Sequence, residues 1–241
     1  MEHSKYNPDE ILQILNDFYH CQAVFDPEVY PGEDLTFQTT IKEWKETCDL
    51  VNYKSLAKCY HDTFQLPTCL EELEEILSTK TTSLLGFCRY IADYATKQNV
   101  SPIVMMGQPC ISAAIFKTLI SNLKDRGVDI QHISPSSKFP PLFYKHGAII
   151  LEEVSKLAPG SLTKFEFEDN RISKAGSVFL LFFLLAIIIV PVFWHFHWLL
   201  FVPLFAGITL LTIGSKFSPA KQIIGGYDTV RDLIKGMQAF M

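Results

Sequence analysis

Through the first hundred residues apolar side chains recur at spacings of three and four, the period of helices that bury one face. Asn7-Pro8-Asp9-Glu10 opens the first helix with a cap residue, a proline at the first position and two acids at the positive end of the dipole. Ile11, Leu12, Leu15, Phe18 and Tyr19 line its apolar side, and Asp26-Pro27 and Pro31-Gly32 mark the loop that follows. Further helices are predicted over about 36–48 (Phe37, Ile41, Trp44, Cys48) and about 52–64 (Leu56, Tyr60, Phe64). Thr68-Cys69-Leu70-Glu71 reads as a capping box for a short helix carrying Leu70, Leu73 and Leu77, and a fifth helix covers about 81–97. Residues 1–99 are therefore expected to form an α-helical bundle.

The pattern changes at Val100-Ser101-Pro102. Ile103-Val104-Met105-Met106 is a short apolar run of the buried-strand kind, and Val128 to Ile133 alternates as a second strand. Leu162 to Glu168 alternates as a third. Between them lie helices over about 110–126, ended by a left-handed cap at Gly127, and about 141–157. Strand, helix, strand, helix, strand over 100–174 predicts a small α/β (β-α-β-α-β) unit with a parallel sheet.

Ala175 to Ser215 then runs forty-one residues without an Asp, Glu, Lys or Arg. One helix of that length would extend roughly 60 Å, against a hydrocarbon slab of about 30 Å. Two spans joined at Trp194-His195-Phe196-His197-Trp198 are the expectation, with Pro191 punctuating the first. Arg171, Lys174, Lys216 and Lys221 flank this transmembrane hairpin, which predicts an inner (cytoplasmic) membrane protein with both termini cytoplasmic and the lipid bilayer as a partner. Residues 216–241 end in an amphipathic helix from about Tyr227 to Phe240, suited to docking or to an oligomer contact.

Charge sharpens the division. Formal net charge is −5, yet residues 1–100 hold 8 Lys and Arg against 17 Asp and Glu, while 101–174 hold 9 against 7. An acidic half without a concentrated basic face excludes nucleic acid as the expected partner and favours a soluble protein partner on the acidic helices. Nothing in Met1 to Glu10 resembles a signal peptide. The six cysteines show neither C-x-x-C nor zinc spacing, so neither a metal nor a cofactor is expected, and reduced, buried thiols are.

Within the acidic half, three features run together: a helix ending in Tyr60-His61-Asp62-Thr63-Phe64-Gln65-Leu66-Pro67, the acidic Glu71-Glu72-Leu73-Glu74-Glu75, and a last helix starting at Thr81-Thr82. This pattern, from Asp49 to Lys97, resembles helices two to four of an acyl carrier protein. In that family a serine directly after an aspartate carries the phosphopantetheine arm; here Leu50 follows Asp49. The resemblance thus implies a module without its cargo that keeps an acidic, helix-lined docking surface.

Candidate chemistry lies in two turns at strand ends. Gly107, Gln108, Cys110 and Ser112 open a helix N-terminus, and Ser136, Ser137 and Lys138 supply hydroxyls and a cation. Together they are the candidate ligand site for a phosphate or carboxylate. No glycine-rich nucleotide motif accompanies them, and no catalytic set is assigned. The leading functional reading is a membrane-anchored cytoplasmic scaffold or binding module. One alternative is a two-span effector that oligomerises through its hairpin, where Pro203, Gly207 and Thr209 permit close helix contact. The other is a membrane-associated enzyme using Cys110, with His132 or His146 as base, and the Ser136/Ser137/Lys138 turn.

Overall fold

The computed structural model describes residues 3–26, 29, 32–48, 50, 52–79, 81–105, 107–162, 164–168, 171–193, 201–217 and 221–241. They divide into two compact units, Met1–Phe165 with Ile224–Met241, and Glu166–Ile223.

In the first unit, β1 (His3–Lys5) pairs antiparallel with β2 (Thr96–Gln98), closing the first hundred residues into a ring. Between them lie α1 (Pro8–Phe25), α2 (Ile41–Thr47), α3 (Tyr53–Phe64), α4 (Leu70–Ser78) and α5 (Leu84–Tyr94). Local chemistry sets their starts. Asn7 and Glu10 form a reciprocal capping box on α1, Thr40 and Glu43 do so on α2, and the Asn52 side chain caps α3. The box expected at Thr68–Glu71 does not form: Cys69 caps α4 with its backbone only. The Thr68 hydroxyl instead accepts from the Tyr90 hydroxyl at 2.8 Å, tying α5 to the start of α4. Trp44, Tyr60 and Phe87 meet at the centre of this bundle with ring centroids 5.3 to 5.8 Å apart.

A second core joins α6 (Ile111–Asp125), α7 (Phe139–Leu157) and α10 (Val230–Gln238) around Leu119, Phe139, Phe143, Val154, Leu233 and Met237. Helix α1 serves both cores: Ile11, Ile14 and Tyr19 belong to the first, while Cys21 and Val24 pack against the second. The C-terminal helix docks as its apolar stripe predicts, behind a Thr229–Asp232 capping box.

The parallel α/β unit is not present among the described residues. Ile103–Met105 forms β3, but its partner is β4 (Gln108–Cys110) in a tight antiparallel hairpin turned by Gly107 at φ +80°. Val104 and Met105 lie largely on the surface rather than under helices. Val128 to Ile133 is not a strand: the Asp129 carboxylate accepts from Gln131 N–H at 3.1 Å and Ile133 N–H bonds Ile130 C=O at 3.0 Å. These local bonds offer the backbone turns in place of a ladder. The third expected strand survives as β5 (Phe165–Glu168), whose neighbour is β6 (Lys221–Ile224).

The second unit consists of the paired helices α8 (Arg171–Phe193) and α9 (Phe201–Phe217). Among the described residues no helix is long and apolar enough to cross a membrane. A span needs about 20 apolar residues. Helix α9 has 17 residues. The transmembrane hairpin, the multi-pass inner-membrane location and the membrane anchor inferred from this stretch are corrected accordingly. The Trp194–Trp198 turn lies outside the described residues. What the segment does form is a close helix pair: a Cβ on Gly176 would stand 3.0 Å from the Gly207 carbonyl, and one on Gly207 3.0 Å from the Gly176 carbonyl. Gly207→Leu is therefore expected to force α8 and α9 apart. Backbone amides of residues 201–213 should then exchange at least tenfold faster by hydrogen–deuterium exchange, whereas those of α3 should not change.

Candidate functional site

The two candidate turns do not come together. Ser112 at the start of α6 donates to the Gln238 side chain at 2.7 Å, at the C-terminal end of α10. The Ser134–Lys138 turn holds the opposite end of that helix: Val230 N–H donates to Ser137 C=O at 3.0 Å and Arg231 N–H to Pro135 C=O at 2.8 Å. Nine residues of α10, roughly 13 Å at about 1.5 Å each, separate them. The serine hydroxyls are spent locally. Ser137 Oγ accepts from Ser134 N–H at 2.9 Å and faces Ser134 Oγ at 3.2 Å, and the Ser134 and Ser136 hydroxyls lie 3.0 Å apart. Lys138 bridges to Thr229 through its backbone, and Gly107, Gln108 and Cys110 belong to the β3–β4 hairpin and its exit. Among the described residues no histidine pairs with Cys110, which caps α6 without a side-chain bond. His132 stands in the other turn and His146 at a kink of α7.

All six cysteines are free. Burial pushes the Cys21, Cys48 and Cys88 thiols up to about 12, so they remain protonated near neutral pH and behave as apolar groups. Among the described residues no group of three His, Cys, Asp or Glu side chains is placed to hold a metal ion.

What the structure does build is a groove between α1 and α7. Helix α7 breaks its regular dihedrals at His146 (φ −133°, ψ 27°), just before Gly147. The missing side chain at Gly147 lets the Phe143 ring lie 3.1 Å from where a Cβ would be. The resulting groove, of about 430 Å³, is lined by Phe18, Cys21, Phe25, Phe143, Tyr144 and Ala148, among others. Tyr144 is 77% exposed and Phe25 50%. Such a volume falls in the range of ligand and anchor pockets.

A second cleft, of about 330 Å³, has Tyr6, Gln65, Asn122, Arg126, Glu153 and Lys156 in its walls. The Arg126 guanidinium grips Glu152 with two bonds at 2.7 and 2.8 Å and reaches Glu153 at 3.2 Å. Lys156 lies 3.0 Å from both carboxylates, and Asn122 donates to Glu153 at 3.0 Å. Burial pushes the Glu152 carboxyl up, but Arg126 and Lys156 outweigh it and hold the group below the usual carboxylate range. Two cations answer two carboxylates, which makes this cluster a fastening: Lys156 extends to Thr63 C=O at 3.4 Å, and its own carbonyl accepts from the Tyr6 hydroxyl at 3.0 Å.

Compared with known protein families, with curated proteins and with solved structures, the chain matches none. The groove therefore stands on its own geometry. Sequence patterning marks Phe18 as a core position of α1; the exposure of Tyr144 and Phe25 beside it, which marks the opening, is seen only in the structure.

Proposed function

We propose that the chain is a non-catalytic binding module whose α1/α7 groove receives the apolar anchors of a basic amphipathic segment of a partner protein. The groove itself carries the reading: aromatic and aliphatic walls, a large exposed tyrosine and a volume suited to one or two anchor side chains. Charge selects the occupant. Helix α1 contains no Lys or Arg over its 18 residues, and its C-terminal end, the negative end of the dipole, falls at Phe25. Beyond the groove, Glu71, Glu72 and Glu75 lie exposed on α4, adding to an acidic field that draws a basic partner in. The likeness of residues 49–97 to an acyl carrier protein, whose acidic helices dock partners, supports the same direction.

The test uses the full chain with two labelled helical peptides of leucine and lysine or of leucine and glutamate, read by fluorescence anisotropy. The basic peptide is expected to bind at least tenfold more tightly, and Ala148→Trp, which fills the groove from an exposed position, to weaken it about tenfold. Equal affinity for both peptides, or unchanged binding by Ala148→Trp, overturns the reading.

A further inference from the structure

One buried carboxylate is used by neither the groove nor the ionic fastening. Asp17, on α1, is wholly buried. Its Oδ2 accepts from Gly160 N–H at 3.1 Å and its Oδ1 from Leu162 N–H at 3.3 Å, both in the loop that leaves α7. Gly160 holds φ +81°, the left-handed conformation that turns these amides toward α1. The same loop is gripped from the far side by Tyr227, whose hydroxyl donates to Ser161 C=O at 3.0 Å. Three stretches remote in sequence thus close on a single carboxylate.

The groups around it are unusual in two ways. Among the described residues none is a cation: α1 contributes Cys21 and, over Gly160, the Gln13 amide; α7 contributes Ser155; and the segment before α10 contributes Tyr227. Lys156, next in the chain to Ser155, is committed to Glu152 and Glu153. Moreover, the Ser155 hydroxyl faces the carboxyl and, among the described residues, has no other hydrogen-bond partner, an expensive arrangement unless the carboxyl completes it.

We propose that Asp17 is a proton-operated latch between the two cores of this unit, closed when the carboxyl is protonated and loosened when it ionises. As an acid the side chain still accepts from the loop amides through its remaining lone pairs. It also gains an O–H that can donate to the buried Ser155 hydroxyl oxygen beside it. Ionised, it keeps its two amide bonds and the Ser155 hydroxyl but holds a charge out of water with no cation to pair it. Burial pushes the Asp17 carboxyl up to about 6, against the opposing pull of the Ser155 hydroxyl and the two loop amides. The same charge helps raise Cys21 and Tyr227.

The sign follows from linkage. The folded chain binds this proton more tightly than the unfolded chain, whose aspartate titrates near about 3.9. The latch's contribution is therefore complete below that value and lost as pH rises through about 6.

The test is hydrogen–deuterium exchange of the full chain at pH 5 and pH 7.5, corrected for intrinsic exchange, with Asp17→Asn alongside. A carboxamide carries no charge at either pH and supplies both an acceptor and donors. In the native chain the opening equilibrium of Gly160 and Leu162 is expected to rise about tenfold on going to pH 7.5, which is the whole of the change that values of about 3.9 and about 6 allow over this interval. In Asp17→Asn it is expected to change less than twofold. An equal pH response in the variant overturns the latch. Should that variant not fold, the carboxyl carbon of Asp17 in the native chain is titrated by NMR: a midpoint near 6 supports the proposal and one below 4 overturns it.

Discussion

Phe87→Ala is expected to remove about 3–5 kcal/mol of stability, the largest single effect of any apolar truncation in the helical bundle. The side chain is fully buried, with its ring 5.3 Å edge-on to Tyr60 and 5.5 Å from Trp44. Truncation removes the area term and leaves a ring-sized cavity between two aromatic groups that are held by α2 and α3 and cannot collapse into it. Phe87→Leu keeps most of the volume and should cost less than about 1.5 kcal/mol. Equilibrium urea unfolding of the two variants separates these outcomes. A loss below about 1 kcal/mol for the alanine variant would show that the three rings do not form the centre of the bundle.

Glu153→Ala is expected to cost about 1.5–3 kcal/mol, for an electrostatic reason. Its side chain is 6% exposed and receives bonds from Asn122, Arg126 and Lys156. Removing it leaves the partly buried Lys156 and the exposed Arg126 sharing Glu152, and an asparagine amide with one bond fewer. Replacing the cluster as a set, with Arg126→Met and Lys156→Met added to Glu153→Leu and Glu152→Leu, should restore much of the loss, since no lone charge then remains buried. Thermal unfolding of the single and combined variants measures both. A combined variant weaker than Glu153→Ala alone would mean that the cluster supplies net stability rather than specificity of helix placement.

The two buried carboxylate environments titrate with opposite signs. Glu152 lies below its ordinary range, so its contribution is present above the unfolded value and is lost as pH falls through the folded one. Asp17 contributes on the acid side and fades toward neutrality. Between them the first unit should be most stable in the mildly acidic range. That optimum should move toward neutral pH in Asp17→Asn, as a thermal-melt series across pH will show.

Several features were legible from residue order alone. The Asn7 cap, the proline after it and Glu10 at the third position defined the start of α1, and the stripe through Val230, Leu233 and Met237 defined the apolar face of α10. Even the buried Asp17 left a trace, since Ile14, Asp17 and Cys21 fall at helical spacing on one side of α1. The alternation of Val128 to Ile133, by contrast, is shared by a strand and by a succession of side-chain-capped turns. The uncharged run after Ala175 resembles a membrane hairpin in composition, whereas the described helices fall short of a span.

Residue order by itself determined where helices begin, which faces they bury and how acidic the first hundred residues are. A helix closes its hydrogen bonds within four residues, so its evidence is local. Only the tertiary structure decided that β3 folds back on its neighbour, that the Ser112 and Ser136 turns sit at opposite ends of α10, and that α1 meets α7 across a groove and through the Asp17 latch. Strand partners, pockets and the burial of a charge are properties of segments remote in the chain, and nothing within either segment specifies the other.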